Sequence, residues 1–244
     1  MRKGIIALGL GIALAIAAPA AAQSVDEIIA RHVEAMGGME KIKGVTSVRM
    51  TGTMGLGQGI EAPIVLEIKR PNALRMDITV QGMVGSQGFD GTKGWSLMPF
   101  AGSTTPQEMP AEEMRMVEEQ ADIDGPLVDY KAKGHKVELL GKEQVEGAAA
   151  HKLQVTLKSG DVRTMYIDAE HFLTIKEEGK RTIRGAEVET ETIIGDYKEV
   201  GGMMFPHSID SGQKGSPQRQ TITVQKIEVN VPLDDARFTM PAAK

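Results

Sequence analysis

Histidine is the side chain best suited to proton transfer and metal binding in this sequence, and it occurs at His32, His135, His151, His171 and His207. No two of these stand in an HExxH or HxH arrangement, the spacings that bring two imidazoles to one metal ion. His151 and His171 flank one predicted hairpin and can approach each other at its open end, but two solvated histidines at strand ends are the simpler interpretation. We therefore expect no metal site and no cofactor.

Nucleophilic residues give no catalytic pattern either. The chain contains no cysteine and no G-x-S-x-G elbow. The acidic pairs Glu177-Glu178 and Asp234-Asp235 are adjacent in sequence, which is typical of solvated charge. Carboxylates on distant strands can still converge in a sheet, so an enzyme stays open, but the residue pattern favours a binding protein.

Two arginines flank a Pro-Asn turn signal in the stretch IKRPNALRMD, and the periodicity separates them. Arg70 falls on the apolar face of the strand before the turn, whereas Arg75 falls on the polar face of the strand after it, as a surface residue. Because burying an unpaired guanidinium is costly, Arg70 either has partners or extends to water at the sheet edge. The apolar positions on the two strands are Ile64, Leu66, Ile68, Leu74, Met76, Ile78 and Val80.

Two helices and many strands are predicted around these residues. An amphipathic helix begins with a capping box at Ser24 and Glu27 and carries His32 on its apolar side, as a satisfied core or boundary histidine. A second helix, in TPQEMPAEEMRMVEEQAD, is predicted to begin with another capping box at Thr105 and Glu108. Elsewhere from residue 45 onwards the period is two, and strands that follow one another so closely favour antiparallel pairing.

The first 23 of the 244 residues have the pattern of a secretory signal peptide, with Arg2 and Lys3 before an apolar run and a small-residue cleavage site. We expect residues 24–244 to form a single exported domain with no integral membrane segment. Cleavage would take the net charge from −5 to about −7, which argues against nucleic acid as a partner. Methionine is abundant, at 15 residues, and suits surfaces that fit variable apolar ligands, although it also serves as ordinary core filling.

Four motifs occur in a fixed order: KRPN (Lys69 to Asn72), DGTKGW (Asp90 to Trp95), MPF (Met98 to Phe100) and, after the second helix, NVPLDDARFTMP (Asn230 to Pro241). In this order the sequence resembles the LolA/LolB superfamily of bacterial outer-membrane lipoprotein-sorting proteins, most closely its periplasmic, LolA-like carriers. The resemblance covers most of the chain after the predicted signal peptide. The second half is longer and more regularly stranded than in the well-known carrier, so the ligand need not be a lipoprotein.

The resemblance implies an α+β fold in which a mostly antiparallel sheet curls into an incomplete (half) barrel, with helices forming a lid over the apolar concave face. The helix around Met109 to Ala121 is then a lid element. Arg70 matches the family's arginine before proline, which implies that it hydrogen-bonds the lid region and holds the closed state. The expected ligand-binding residues are Arg70, Leu66, Ile68, Met76, Ile78, Val80, Phe89, Trp95, Met114 and Val117.

The function implied is that of a periplasmic carrier or chaperone, not an enzyme, which binds lipoprotein acyl chains or another long hydrophobic ligand during outer-membrane lipoprotein sorting. Its partners would be that ligand and donor and acceptor proteins at the membranes. Fold does not fix function, so two other classes stay open. One is an envelope sensor or interaction module that uses the same cavity, and the less favoured one is an enzyme acting on a hydrophobic substrate.

Overall fold

The structure is a computed structural model that describes residues 23–57, 59–183 and 186–242. The predicted signal peptide lies outside the described residues, apart from Gln23. Within the described residues, thirteen strands form one antiparallel sheet. The strands are β1 (Ser47–Gly55), β2 (Glu61–Lys69), β3 (Ala73–Val80), β4 (Met83–Phe89), β5 (Gly94–Leu97), β6 (Gln107–Glu108), β7 (Lys136–Val145), β8 (Ala148–Thr156), β9 (Val162–Asp168), β10 (Thr174–Ile183), β11 (Ala186–Val200), β12 (Met203–Gln213) and β13 (Arg219–Val229).

Most neighbouring strands in the sheet are also neighbours in sequence. The spatial order is β6-β5-β4-β3-β2-β1-β13-β12-β11-β10-β9-β8-β7, so the pairing of β1 with β13 joins the two halves of the chain. β6 and β7 form the two edges and do not pair with each other, although the chain runs directly from one to the other through a helix. The sheet is therefore an incomplete barrel, which confirms the fold that the resemblance implied.

Three α-helices accompany the sheet in the described part of the chain: α1 (Val25–Ala35), α2 (Met39–Gly44) and α3 (Ala111–Gln120). The capping box predicted for α1 is present, because Ser24 accepts a hydrogen bond from the Glu27 amide and the Glu27 carboxylate accepts one from the Ser24 amide. His32 is buried with its Nδ1 atom 2.7 Å from the carbonyl oxygen of Phe172, as expected for a satisfied core histidine. None of the described helices has the length and apolar character needed to cross a membrane.

The predicted start of the second helix is wrong. Gln107 and Glu108 pair with β5 as the short edge strand β6, and α3 begins only after Pro110, with no side-chain cap. Proline restricts the residue before it to extended conformations, and the backbone of residues 107 and 108 is used in the sheet. The sequence pattern of a capping box at Thr105 and Glu108 is therefore overridden by strand pairing.

The helices cover one face of the sheet, here called the inner face. α1 and α2 pack over the middle of it and form the largest hydrophobic cluster, to which α1 contributes Ile28, Ile29 and Val33. α3 packs over β3, β4 and β5. On the opposite, outer face, residues 230–239 return across the first strands, where the Ser47 hydroxyl donates to the carbonyl of Val231.

Candidate ligand site on the inner face

α3 closes over an apolar part of the inner face through a set of residues that we call the lid cluster. Its buried members are Ile68, Leu74 and Phe89 from the sheet and Met109, Val117 and Ala121 from the lid side. Leu66, Met114 and Ile123 are partly buried against them. Two of the lid residues are methionines, whose unbranched and polarizable side chains adapt to neighbours of different shape.

A second apolar group lies beside the lid cluster on the same face, and we call it the open-end cluster. Its buried members are Met54, Ala62, Ile64 and Ile78, and Met76, Val80, Phe100 and Ile222 are partly buried against them. No residue of α1, α2 or α3 belongs to this group. The strands β1, β2 and β3 therefore carry a continuous apolar surface, of which α3 covers only one end.

These two clusters contain most of the residues that the sequence predicted for ligand binding. Leu66, Ile68, Phe89, Met114 and Val117 lie in the lid cluster, and Met76, Ile78 and Val80 lie in the open-end cluster. The strand registers explain the grouping, because Leu66 pairs with Met76 and Ile68 pairs with Leu74. Paired residues in an antiparallel sheet share a face, so the period-two pattern of β2 and β3 places the predicted apolar side chains of these two strands on the inner face.

Trp95 is a correction to this predicted set, because it lies on the outer face. It pairs with Gly88, which pairs with Arg75, so its indole ring stands on the polar side of these strands. The ring is 1% exposed, and its Nε1–H donates to the carbonyl oxygen of Phe238 at 2.7 Å. The carboxyl-terminal segment buries Trp95, and the sheet separates it from the lid cluster.

Arg70 lies at the end of β2 on the inner side, in register with Leu66 and Ile68 as predicted. Its Nε–H donates to the carbonyl oxygen of Val45 at 2.6 Å, and one Nη donates to the carbonyl oxygen of Ile42 at 2.9 Å. The same Nη forms an ion pair with Asp124, in the segment that follows α3. Arg70 therefore does not extend to water but joins β2, the end of α2 and the lid region.

Asp124 is held by two cations. Its carboxylate is 5% exposed, and its second oxygen lies 2.5 Å from the Nζ of Lys43. Burial raises the pKa of Asp124, but the hydrogen bonds from Arg70 and Lys43 outweigh burial and lower the pKa below its ordinary value. Because Lys43 is in α2 and Arg70 follows β2, one buried carboxylate fixes the carboxyl-terminal side of the lid to two other elements.

One side of α3, from Glu112 to Glu119, lies over a different, polar part of the inner face. A cleft of about 350 Å³ separates this side of α3 from β9, β10 and β11. Arg163 on β9 forms an ion pair with Glu119 on α3, and its other Nη lies 4.0 Å from the carboxylate of Glu177 on β10. Thr190 and Thr192 of β11 also line this cleft.

The polar half of the inner face was not predicted from the sequence. A signal for it exists in the run Glu187 to Thr192, EVETET, where polar residues occupy both alternating faces of β11 except at Val188. Such a strand cannot present a continuous apolar face on either side. The inner face is therefore apolar along β1 to β5 and polar where β9 to β11 face α3, whereas Met165 and Ile167 of β9 belong to the hydrophobic cluster under α1 and α2.

The histidine pair considered for metal binding does not form. His151 is 1% exposed and packs near the ring of Phe172, whereas His171 is an exposed residue with its Nδ1 3.1 Å from the carboxylate of Asp168. In the described ranges there is no group of three or more histidine, cysteine or acidic side chains arranged to hold a metal ion.

Comparison with solved structures identifies the fold. A LolA superfamily protein from Nitrosomonas europaea matches with a TM-score of 0.60 at 13% identity, covering 89% of this chain and 98% of that one. A DUF1329 family protein from Desulfovibrio piger matches with a TM-score of 0.61 at 13% identity, covering 88% and 97%. A putative outer-membrane lipoprotein-sorting protein domain from Vibrio parahaemolyticus matches with a TM-score of 0.59 at 12% identity, covering 87% and 94%.

Comparison by sequence does not identify a family for this chain. No protein-family model matches the chain, and no curated protein sequence matches it. At identities of 12% and 13% the structural likenesses concern the fold alone. The motifs noted in the sequence and the half-barrel geometry agree with these likenesses, and the chain has the fold of the LolA superfamily.

Proposed function

We propose that this protein is a periplasmic carrier that shelters acyl chains, from lipoproteins or another long apolar ligand, on the inner face of the half-barrel. One observation supports this most directly: the apolar surface of β1, β2 and β3 continues from beneath α3 to the open-end cluster, to which none of the three α-helices contributes and which the short helical turn Pro99–Ala101 covers through Phe100. An extended ligand fits such a surface, and each buried CH₂ group contributes about 0.8 kcal/mol.

Contacts at the carboxyl-terminal side of α3 support a lid that opens and closes. Arg70 and Lys43 hold Asp124 after the helix, while Arg163 holds Glu119 in its last turn. These ion pairs are the contacts that lid opening would break, and a ligand that binds one arrangement of the lid better would bias that equilibrium. The proposal involves binding without catalysis.

The test is uptake of an apolar fluorophore by the purified protein, together with mass spectrometry of the lipid extracted from it. Met76→Glu places a charge in the open-end cluster and is expected to reduce uptake at least about tenfold, because a carboxylate in an apolar site is poorly solvated. Thr79→Glu, on the outer side of the same strand, is the matched control and should retain uptake.

Three outcomes would count against a carrier. Wild-type protein that ignores the fluorophore and yields no lipid would contradict the proposal. Equal losses in Met76→Glu and Thr79→Glu would show that the inner face is not the site. A protein that co-purifies stably without lipid would favour the sensor or interaction module instead.

A further inference from the structure

Three chain connections lie at one end of the sheet, which we call the hairpin end. They join β1 to β2, β3 to β4 and β5 to β6, and because successive strands are antiparallel they all open in the same direction. α2 and the contacts of Arg70 lie at the opposite end, beside the β2–β3 turn. The hairpin end is therefore remote from the contact between Arg70 and Asp124.

Large apolar side chains at this end are exposed to solvent. Leu56 is 42% exposed and Ile60 is 55% exposed in the β1–β2 connection, and Met83 and Val84 at the start of β4 are 42% and 50% exposed. They adjoin the open-end cluster, since Val80 of that cluster pairs with Met83. The exposed apolar tips thus continue the proposed ligand surface out to the rim of the half-barrel.

The segments that carry these tips contain no charged residue. Residues 50–60, 78–89 and 94–107 lack aspartate, glutamate, lysine and arginine, in a chain of which 25% is charged. Glu61, the charged residue that follows the first tip, begins β2 and alternates with the inward-facing Ala62. Charge returns immediately beyond β1, at Lys214 and Arg219 around the β12–β13 connection, because β13 pairs with β1. The uncharged rim is therefore confined to the first six strands.

The third connection reinforces the rim. Phe100 and Met98 lie over Gly85 so closely that a side chain at position 85 would clash with them. The segment 98–101 is thereby packed against β4, and its phenylalanine belongs to the open-end cluster. The exposed tips therefore adjoin closely packed apolar side chains.

We propose that this uncharged rim docks onto the surface of a lipid bilayer with electrically neutral headgroups and inserts Leu56, Ile60, Met83 and Val84 into its interfacial region. Protruding apolar tips without charge suit the boundary between headgroups and acyl chains, where burial of apolar area drives binding. A protein interface would instead have a polar rim with hydrogen-bonding groups around its apolar centre. The net charge of −5 also gives no attraction to an anionic membrane.

The proposal is tested by flotation of the protein with phosphatidylcholine vesicles. Wild-type protein should float with the vesicles, and Val84→Glu and Ile60→Glu should each reduce the bound fraction about tenfold, because a charged side chain enters the interface poorly. Leu140→Glu is the matched control, since Leu140 is 51% exposed but lies on the edge strand β7. It should bind like wild type, and raising the salt from about 0.05 M to about 0.5 M should not weaken binding.

The contrary outcomes are specific. Wild-type protein that stays with the unbound fraction, or a loss in Leu140→Glu equal to that in Val84→Glu, would overturn the proposal. So would binding that falls with salt, which is the behaviour of electrostatic adsorption. A wild-type dimer that Val84→Glu dissociates in the absence of vesicles would show that a second copy covers the rim instead.

Docking goes beyond the carrier function and is measured separately from it. Fluorophore uptake is assayed without vesicles, and Val84→Glu should retain it because Val84 lies outside the two inner-face clusters. Loss of flotation with normal uptake would support docking through the rim. Loss of uptake in Val84→Glu would overturn the separation of rim and ligand site, whereas failure of wild-type uptake concerns the carrier function alone.

Discussion

Arg70 and Asp124 form a hydrogen-bonded ion pair although 54 residues separate them in the sequence. The arginine ends β2 on the apolar side, and the aspartate follows α3. Arg70 also donates to the carbonyl oxygens of Ile42 and Val45, so a single guanidinium joins three segments. Together with the pair of Arg163 and Glu119, this contact sets how firmly α3 is held against the inner face.

Arg70→Leu should destabilise the protein and release the lid. The change leaves two carbonyl groups and the buried Asp124 carboxylate with fewer partners, and losing one member of such a pair costs about 3 kcal/mol. We expect urea unfolding to show this loss and bound fluorophore to dissociate several-fold faster. Arg70→Lys, which keeps the charge but not the fork of donors, should be intermediate. Unchanged dissociation in Arg70→Leu would show that the contact does not control the lid.

Arg163→Ala should loosen α3 with little effect on overall stability. The Arg163 side chain is 24% exposed and that of Glu119 is 33% exposed, and ion pairs of this kind contribute about 0.2–1 kcal/mol. Hydrogen exchange of the α3 amides should become faster while the urea midpoint changes little. Arg115→Ala is the control, because the described residues show no ion pair for Arg115. Equal exchange in both variants would exclude a role for Arg163 in closing the lid.

Trp95→Phe should lower stability and leave ligand uptake within about twofold of wild type. The variant loses the hydrogen bond to the Phe238 carbonyl, a contribution of about 1–2 kcal/mol for a buried donor and acceptor. Trp95 is the single tryptophan, so its fluorescence in the wild-type protein should not respond to a bound ligand. Phe89→Ala, in the lid cluster, should reduce uptake. A strong fluorescence response or lost uptake in Trp95→Phe would place the ligand near the outer face.

Stability should fall as the pH is lowered through the range in which histidine titrates. Burial lowers the pKa of His32 below 6.5, although its hydrogen bond to Phe172 opposes this, and burial also lowers the pKa of His151. The folded state therefore binds fewer protons than the unfolded state, and the stabilisation present above about pH 6.5 is lost at lower pH. Urea unfolding between about pH 7.5 and about pH 5 measures the slope. The slope should be smaller in His32→Gln, and an unchanged slope would contradict the assignment.

The sequence alone determined the features that depend on local geometry. Side chains alternate across a strand, so the register of β2 and β3 placed Arg70 with Leu66 and Ile68 and placed Arg75 on the other side. The capping box and amphipathic pattern of α1 could likewise be predicted, because helix termini and helix faces involve residues three or four positions apart. The signal peptide and the extent of the exported domain stay predictions.

Only the tertiary structure decided which surfaces are covered, because that depends on segments distant in the chain. Arg75 reads as a surface charge, yet its side chain is 23% exposed and donates to the carbonyl of Arg237. Glu67 of β2 is 1% exposed and paired with Arg49 and Arg237, although the alternation of β2 places it on the polar face. The return of residues 230–239 across β2 to β5 buries these groups and Trp95.

The division of the inner face also required the tertiary structure. In the sequence, Arg163 and Glu119 are ordinary charged residues of a strand and a helix, and they form an ion pair because β9 and α3 pack together. Asp124 contacts Arg70 because the chain crosses the inner face from edge strand β6 to edge strand β7. Local periodicity fixes which side of a strand a residue occupies. The long-range path of the chain decides what stands opposite it.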